Sequence, residues 1–215
     1  MTDNAFRTLA DVIGDELFPE VDLLLREGRH IDDLDLESFT FLEDARPWLE
    51  SFYYRYGCDL VRMVERYYYL RPRGDRLGRR GLSAAEMLVG QALCLLRLDP
   101  ATLRTTGRAE RVQVLGLLER LVGSERLGVA LNPRRKRRSK AVEEEEIRTA
   151  VDGAIRTLAR LGFVDDEGAM LRLRAPLLRF TEPVASQPRP DIALARLVGT
   201  GVVDAEDQQE EEEPE

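Results

Sequence analysis

The chain has 215 residues, 43% hydrophobic and 33% charged, with 32 Lys+Arg against 40 Asp+Glu for a net charge of −8. That length suits one domain or two small ones, and apolar residues recurring at helical spacing exclude a chain disordered throughout. The longest uncharged run, Met87 to Leu96, is far shorter than the ~20 apolar residues of a membrane helix. The N-terminus lacks the basic start and apolar core of a signal peptide, and Cys58 and Cys94 make no secreted disulfide framework, so a soluble cytoplasmic protein is expected.

In chain order, residues 5–26 read as helical, with Phe6, Leu9, Val12, Ile13 and Leu17 apolar, then Val21, Leu24 and Leu25 after Pro19. Gly28 interrupts, and Leu34 to Leu42 predicts a short helix. Pro47, allowed at a first helical position, opens another that places Leu49, Phe52, Tyr53 and Tyr56 on one face and ends at Gly57, a left-handed cap. Residues 58–64 and 67–71, rich in Val and Tyr and split by Glu65-Arg66, predict a hairpin. Helices followed by a hairpin have the order of a winged helix.

The order then repeats. Ser83 and Glu86 form a capping box, with Leu82 able to staple to Met87. The helix that follows, to about Leu98, is apolar nearly all round and must be buried on most sides, which makes it a candidate dimer or partner interface. Asp99-Pro100 starts a new segment, and residues 108–122 carry Val114, Leu117, Leu118, Leu121 and Val122 on one stripe. Asn132 to Lys140 reads as a basic loop. Glu143 to Leu161 is a periodic helix, with Ile147, Val151, Ala154, Ile155 and Leu158 on one face and Gly162 as its cap. Phe163-Val164, a turn at Asp165-Asp166-Glu167-Gly168, and Met170 to Arg174 predict a second hairpin. The expected fold is mainly α with short β-hairpins (α+β), as tandem winged-helix domains over residues 1–80 and 81–183. A C-terminal helical segment, 184–203, and a disordered acidic tail, 204–215, complete the expected organisation.

The net charge is unevenly placed. Residues 204–215 carry eight acids and no base, and without them acids and bases balance at 32 each. Basic charge clusters at Arg134, Arg135, Lys136, Arg137, Arg138 and Lys140, and again at Arg71, Arg73, Arg76, Arg79 and Arg80. Such clusters have the character of a sequence-independent, salt-sensitive contact with the DNA backbone. The other reading of the 134–140 loop is a solvated linker that pairs with Glu143 to Glu146 or with the acidic tail.

Several reaction classes fail on inventory. Neither Lys136 nor Lys140 stands in a P-loop, one histidine and two distant cysteines are a poor zinc set, and a Ser-His-Asp or Cys-His mechanism would depend entirely on His30. No G-x-G-x-x-G follows a strand. A pair of catalytic carboxylates stays open among so many acids, but the inventory favours a binding or structural protein with no cofactor and no metal. His30 reads as structural. Tyr67, Tyr68 and Tyr69 offer a stacking platform for bases, although strand packing is the commoner use of such a run. Glu143 to Glu146 at the start of the last helix, and Asp165-Asp166-Glu167 at the wing, repel phosphate and argue against operator reading by the second unit. Arg71 to Arg80 keep a dimeric winged-helix transcription regulator as the alternative.

Five stretches carry a family resemblance: Glu27-Gly28-Arg29-His30-Ile31-Asp32, Phe52-Tyr53-Tyr54-Arg55-Tyr56, Tyr68-Tyr69-Leu70-Arg71-Pro72-Arg73, Val89 to Leu98, and Leu158-Ala159-Arg160-Leu161-Gly162-Phe163-Val164. In this order and spacing, over roughly residues 15–180, the chain resembles the MukE family of MukBEF-type bacterial condensins. The resemblance implies tandem winged helices, a homodimer without catalysis, and a MukF-like kleisin partner that bridges the heads of a MukB-like SMC ATPase. It also implies a nucleoid-associated role in clamping double-stranded DNA non-specifically during chromosome compaction and segregation, with no membrane partner. The related MksE and Wadjet subunits share the architecture. The 134–140 loop has no counterpart in the family pattern and rests on charge alone, and no kleisin-contacting residue follows from the resemblance.

Overall fold

The computed structural model describes residues 5–74, 81–104, 106–131 and 140–181. The fold is helix-rich, with two small antiparallel sheets in two compact units. The first unit draws on residues up to Gly81 and adds Arg160–Phe163 and Arg174–Pro176; the second takes most of the remainder. The expected helical segment 184–203 and acidic tail 204–215 lie outside the described residues.

In the first unit, α1 (Leu9–Ile13) starts at Thr8, whose side chain accepts from the Asp11 amide while the Asp11 carboxylate accepts from the Thr8 amide. Then come α2 (Phe18–Arg26), β1 (Ile31–Asp32), α3 (Leu36–Arg55), β2 (Cys58–Met63) and β3 (Tyr67–Pro72). The sheet order is β1-β3-β2, with Leu60 opposite Leu70 and Ile31 opposite Tyr68. Val12, Val21, Leu25, Ile31, Leu42, Leu49 and Tyr68 form the core between these helices and the sheet. Residues 5–26, read as helical, hold two helices, α1 and α2. One feature departs from the sequence expectation. Pro47 does not start a helix but lies inside α3, so Leu34 to Gly57 holds one long helix where two were expected. The helix tolerates Pro47 because the ring is solvent-exposed and the apolar residues on either side, Leu42, Ala45, Leu49 and Tyr53, are all buried on one face. Gly57 has φ 77°, the left-handed geometry expected of it, and leads straight into β2.

The second unit contains α4 (Ala84–Leu98), α5 (Pro100–Arg104), β4 (Arg108–Glu110), α6 (Arg111–Val122), α7 (Ser124–Leu131), α8 (Lys140–Arg160), β5 (Val164–Glu167) and β6 (Met170–Leu173). A 3-10 turn spans Ala175–Thr181. The sheet order, β4-β6-β5, matches that of the first sheet: a short strand, then helix (α3 alone in the first unit, α6 to α8 in the second), then a hairpin whose second strand takes the centre. The Ser83–Glu86 capping box forms as expected. Helix α4 is buried along Val89, Gly90, Ala92, Leu93, Cys94 and Leu96, and the chain itself supplies the cover from α6, α7 and Phe180. The apolar character of α4 therefore needs no second protein to explain it. Gly90 is small for a reason: a Cβ there would run into the Phe180 ring.

Candidate nucleic-acid interface

Of the basic residues singled out in the sequence, Arg71 and Arg73 are described in full. Lys140 is the first residue of α8, and nothing further is described of its side chain. Arg76, Arg79, Arg80, Arg134, Arg135, Lys136, Arg137 and Arg138 lie outside the described residues. Strand β3 carries Arg71 opposite Asp59 of β2, and the two pair at 3.0 Å. Arg73 follows the strand, its amide donating to the Gly57 carbonyl at 2.8 Å, so its side chain returns toward the same Asp59 at 3.7 Å. The Arg73 guanidinium also lies over the Tyr54 ring, 4.2 Å from its centroid. One carboxylate thus serves two arginines, and the cluster keeps a surplus positive charge.

The tyrosine run behaves differently from the stacking reading. Tyr67, Tyr68 and Tyr69 are only 1%, 0% and 7% exposed, so none offers a face to a base. Tyr68 donates to Glu43, which also accepts from Arg62 at 2.6 Å. Burial raises the Glu43 carboxyl, and those two hydrogen bonds outweigh it, leaving the group below its ordinary value. The exposed tyrosines are Tyr54 and Tyr56, at 59% and 45%, and Arg26 lies over the Tyr56 ring at 4.8 Å.

The second hairpin is less acidic in effect than its sequence suggests. Arg111 donates to Asp152 at 2.8 Å, to Asp166 at 2.6 Å and to the Gly168 carbonyl at 3.1 Å. Arg108 and Arg172 both pair with Glu167, at 2.9 and 3.6 Å. The hydrogen bond from Arg111 holds the Asp166 carboxyl below its ordinary 3.8. Expected repulsion of phosphate by Asp166 and Glu167 is offset by these three arginines. Asp166 and Glu167 also sit within β5, which places the turn at Gly168-Ala169 rather than at 165–168.

A buried polar node in the first unit was not foreseen from sequence. The Asp32 carboxylate accepts from Arg174 at both Nε and Nη2, and from the Ala175 amide at 3.1 Å; Arg174 also reaches Asp35 at 2.6 Å. Burial opposes the Arg174 charge, and these carboxylates outweigh it and raise its pKa. His30 donates twice to one carbonyl, Leu161 O, through its amide at 2.9 Å and its Nδ1 at 3.0 Å, which fixes the proton on Nδ1. Its ring packs among Tyr67, Tyr69 and Phe163. Gly162 has φ 76°, and a Cβ there would strike the His30 carbonyl oxygen. Three of the stretches that carry the family resemblance, Glu27–Asp32, Tyr68–Arg73 and Leu158–Val164, converge on this node. Among the described residues, no cluster of three or more His, Cys, Asp or Glu could hold a metal, and no helix is long and apolar enough to cross a membrane.

What these residues define is a helix-rich protein of two units, each with a three-stranded antiparallel sheet whose hairpin carries a carboxylate shared between two arginines. The chain belongs to the MukE-like family, whose model matches residues 6–215, as the five motifs indicated. It is 35% identical over 198 residues to the chromosome partition protein MukE of Haemophilus ducreyi, covering 90% of this chain and 82% of that one. The MukE of Histophilus somni is 36% identical over 198 residues, 90% of this chain and 79% of its own. The Escherichia coli K12 protein of the same name is 33% identical over 197 residues, 90% of this chain and 83% of its own.

Proposed function

We propose that this protein acts in chromosome partition as a non-catalytic accessory subunit of a bacterial MukBEF-type condensin. It binds a MukF-like kleisin as a homodimer, reaches a MukB-like SMC ATPase through that kleisin, and helps clamp double-stranded DNA at the ATPase heads. Its place is the cytoplasm, at the nucleoid. The observation that carries this reading is the family match over residues 6–215, joined by relatives whose shared name is chromosome partition protein MukE.

The strand order common to both sheets supports a tandem winged-helix reading, since a short strand, one or more helices and a hairpin recur in each unit. In the first unit a single α3 stands where two helices joined by a turn would hold a reading helix, which favours protein contact or backbone grip over base readout. Arg71 and Arg73, with Arg76, Arg79 and Arg80 beyond them, and Arg134, Arg135, Lys136, Arg137, Arg138 and Lys140 supply that grip in this reading.

The second reading, a dimeric winged-helix transcription regulator, draws on the second hairpin, where arginines offset the acids that would repel DNA. Pull-down of the tagged chain from its native lysate, with a high-salt wash and mass spectrometry, separates the two. A kleisin and a long coiled-coil ATPase retained through the wash support the condensin subunit. Recovery of the chain alone, with a specific footprint on DNA, supports the regulator.

A further inference from the structure

We propose that Tyr54, Asp59, Arg71 and Arg73 form a self-masked phosphate site, in which Asp59 occupies the guanidiniums that a DNA backbone phosphate takes over on binding. This inference rests on the reading that the protein contacts DNA. Four observations carry it. Arg71 and Arg73 converge on a single carboxylate oxygen pair, at 3.0 and 3.7 Å. Both side chains remain open to solvent, at 62% and 43% exposed, while Asp59 is 30% exposed. Tyr54 lies beneath Arg73, its ring centroid 4.2 Å from the guanidinium carbon, and holds that planar group in place by ring contact and a side-chain hydrogen bond. The C-terminal turn of α3, which bears Tyr54, favours cations beside it and so helps hold the arginines in place.

The geometry favours phosphate over a base. Two guanidinium forks at a strand end match the oxygens of a phosphodiester, and no exposed tyrosine of β3 is present to stack a base. Asp59 keeps the forks paired when DNA is absent and lowers the apparent affinity by the cost of its displacement. Tyr54 is a positioning residue: it holds the Arg73 guanidinium beside Asp59.

The test is fluorescence anisotropy of the full chain with a duplex DNA oligonucleotide, over a salt series. Replacing Arg71 and Arg73 with Ser weakens binding for every sequence and reduces the salt slope by about 1 per arginine. Asp59→Asn does the reverse, tightening binding about two- to fivefold, as expected for losing a surface ion pair. Tyr54→Ala weakens binding more than Tyr54→Phe, which keeps the ring under Arg73 and loses only the hydroxyl that Arg73 hydrogen-bonds; equal losses would show that the ring has no part in holding Arg73. Circular dichroism checks that each variant is folded. Wild-type binding that the Arg71 and Arg73 variants leave unchanged overturns the site while the DNA reading survives. Absence of duplex binding by the wild type at low salt overturns both. Binding of poly-glutamate that is lost in these variants, with DNA affinity intact, assigns the patch to an acidic protein segment and overturns the proposal.

Discussion

At the Asp32 carboxylate, four donors meet, two from Arg174 and one each from the Ala175 and Leu34 amides, with Asp32 and Arg174 each 1% exposed or less. A buried charge stripped of its partner costs roughly 3–5 kcal/mol, so Arg174→Met or Asp32→Asn lowers stability by about that amount in urea unfolding. The double substitution costs less than the sum of the two, because no charge is left stranded. Equal and additive losses would show that the pair is not coupled. The Cys94 thiol also takes its chemistry from its surroundings. Burial pushes its thiol up to about 11, against the opposing charge of Arg97. Ellman's reagent at pH 8 therefore reacts with Cys94 only as fast as the protein opens, and full reactivity in urea marks unfolding. Neither node was legible in the sequence. His30 was read as structural, yet nothing in its neighbourhood named Leu161, Phe163 or Arg174, which approach from more than a hundred residues away.

Elements were more legible where one period dominated. Helix α8 follows from side-chain spacing, the Ser83 cap from its Ser-x-x-Glu chemistry, and the first hairpin from its Val- and Tyr-rich runs and short gap, local signals that agree with packing. Strands β1 and β4 have two and three residues, too few for any alternation to register, so both sheets were read as hairpins lacking their third strand. At Pro47 the local rule lost to packing: the apolar stripe continues across it and carries the helix through. Replacing Pro47 with Ala supplies the missing amide and stabilises α3 by about 1–3 kcal/mol, less the entropy that proline removes from the unfolded chain. An unchanged or lower melting temperature would count against a strained α3. In the β5–β6 hairpin the stabilising charge is pH-dependent. The folded Asp166 carboxyl sits below its ordinary 3.8, so its contribution is whole above that pH and is lost as pH falls through the depressed value. Arg111→Met narrows that acid window, and carboxyl carbon shifts in an NMR titration show Asp166 moving back toward its ordinary value.

For the whole molecule, the charge balance puts all of the surplus acid in the last twelve residues, while the basic clusters lie elsewhere in the chain. If those acids compete with DNA for arginine, ending the chain at Val203 raises duplex affinity, most at low salt, where screening is weakest. Identical binding curves for the two lengths would remove the tail from any such competition. The order of five motifs made the family legible. The arrangement of charge on the hairpins was not. A run of acids in sequence gives no warning that Arg108, Arg111 and Arg172 will fold onto it.

The first unit is not made from one continuous stretch of chain, since it includes Arg160–Phe163 and Arg174–Pro176. A ribosome releases Asp32 and His30 long before it has made Arg174 and Phe163. Until α8 and the β5–β6 hairpin emerge, the nascent N-terminal portion carries an unpaired carboxylate and an open aromatic pocket. Cutting the gene after Gly81 would yield that same incomplete state permanently. The sequence boundary between the units is therefore a poor place to divide the protein, and the order of synthesis makes the N-terminal half wait for its last pieces.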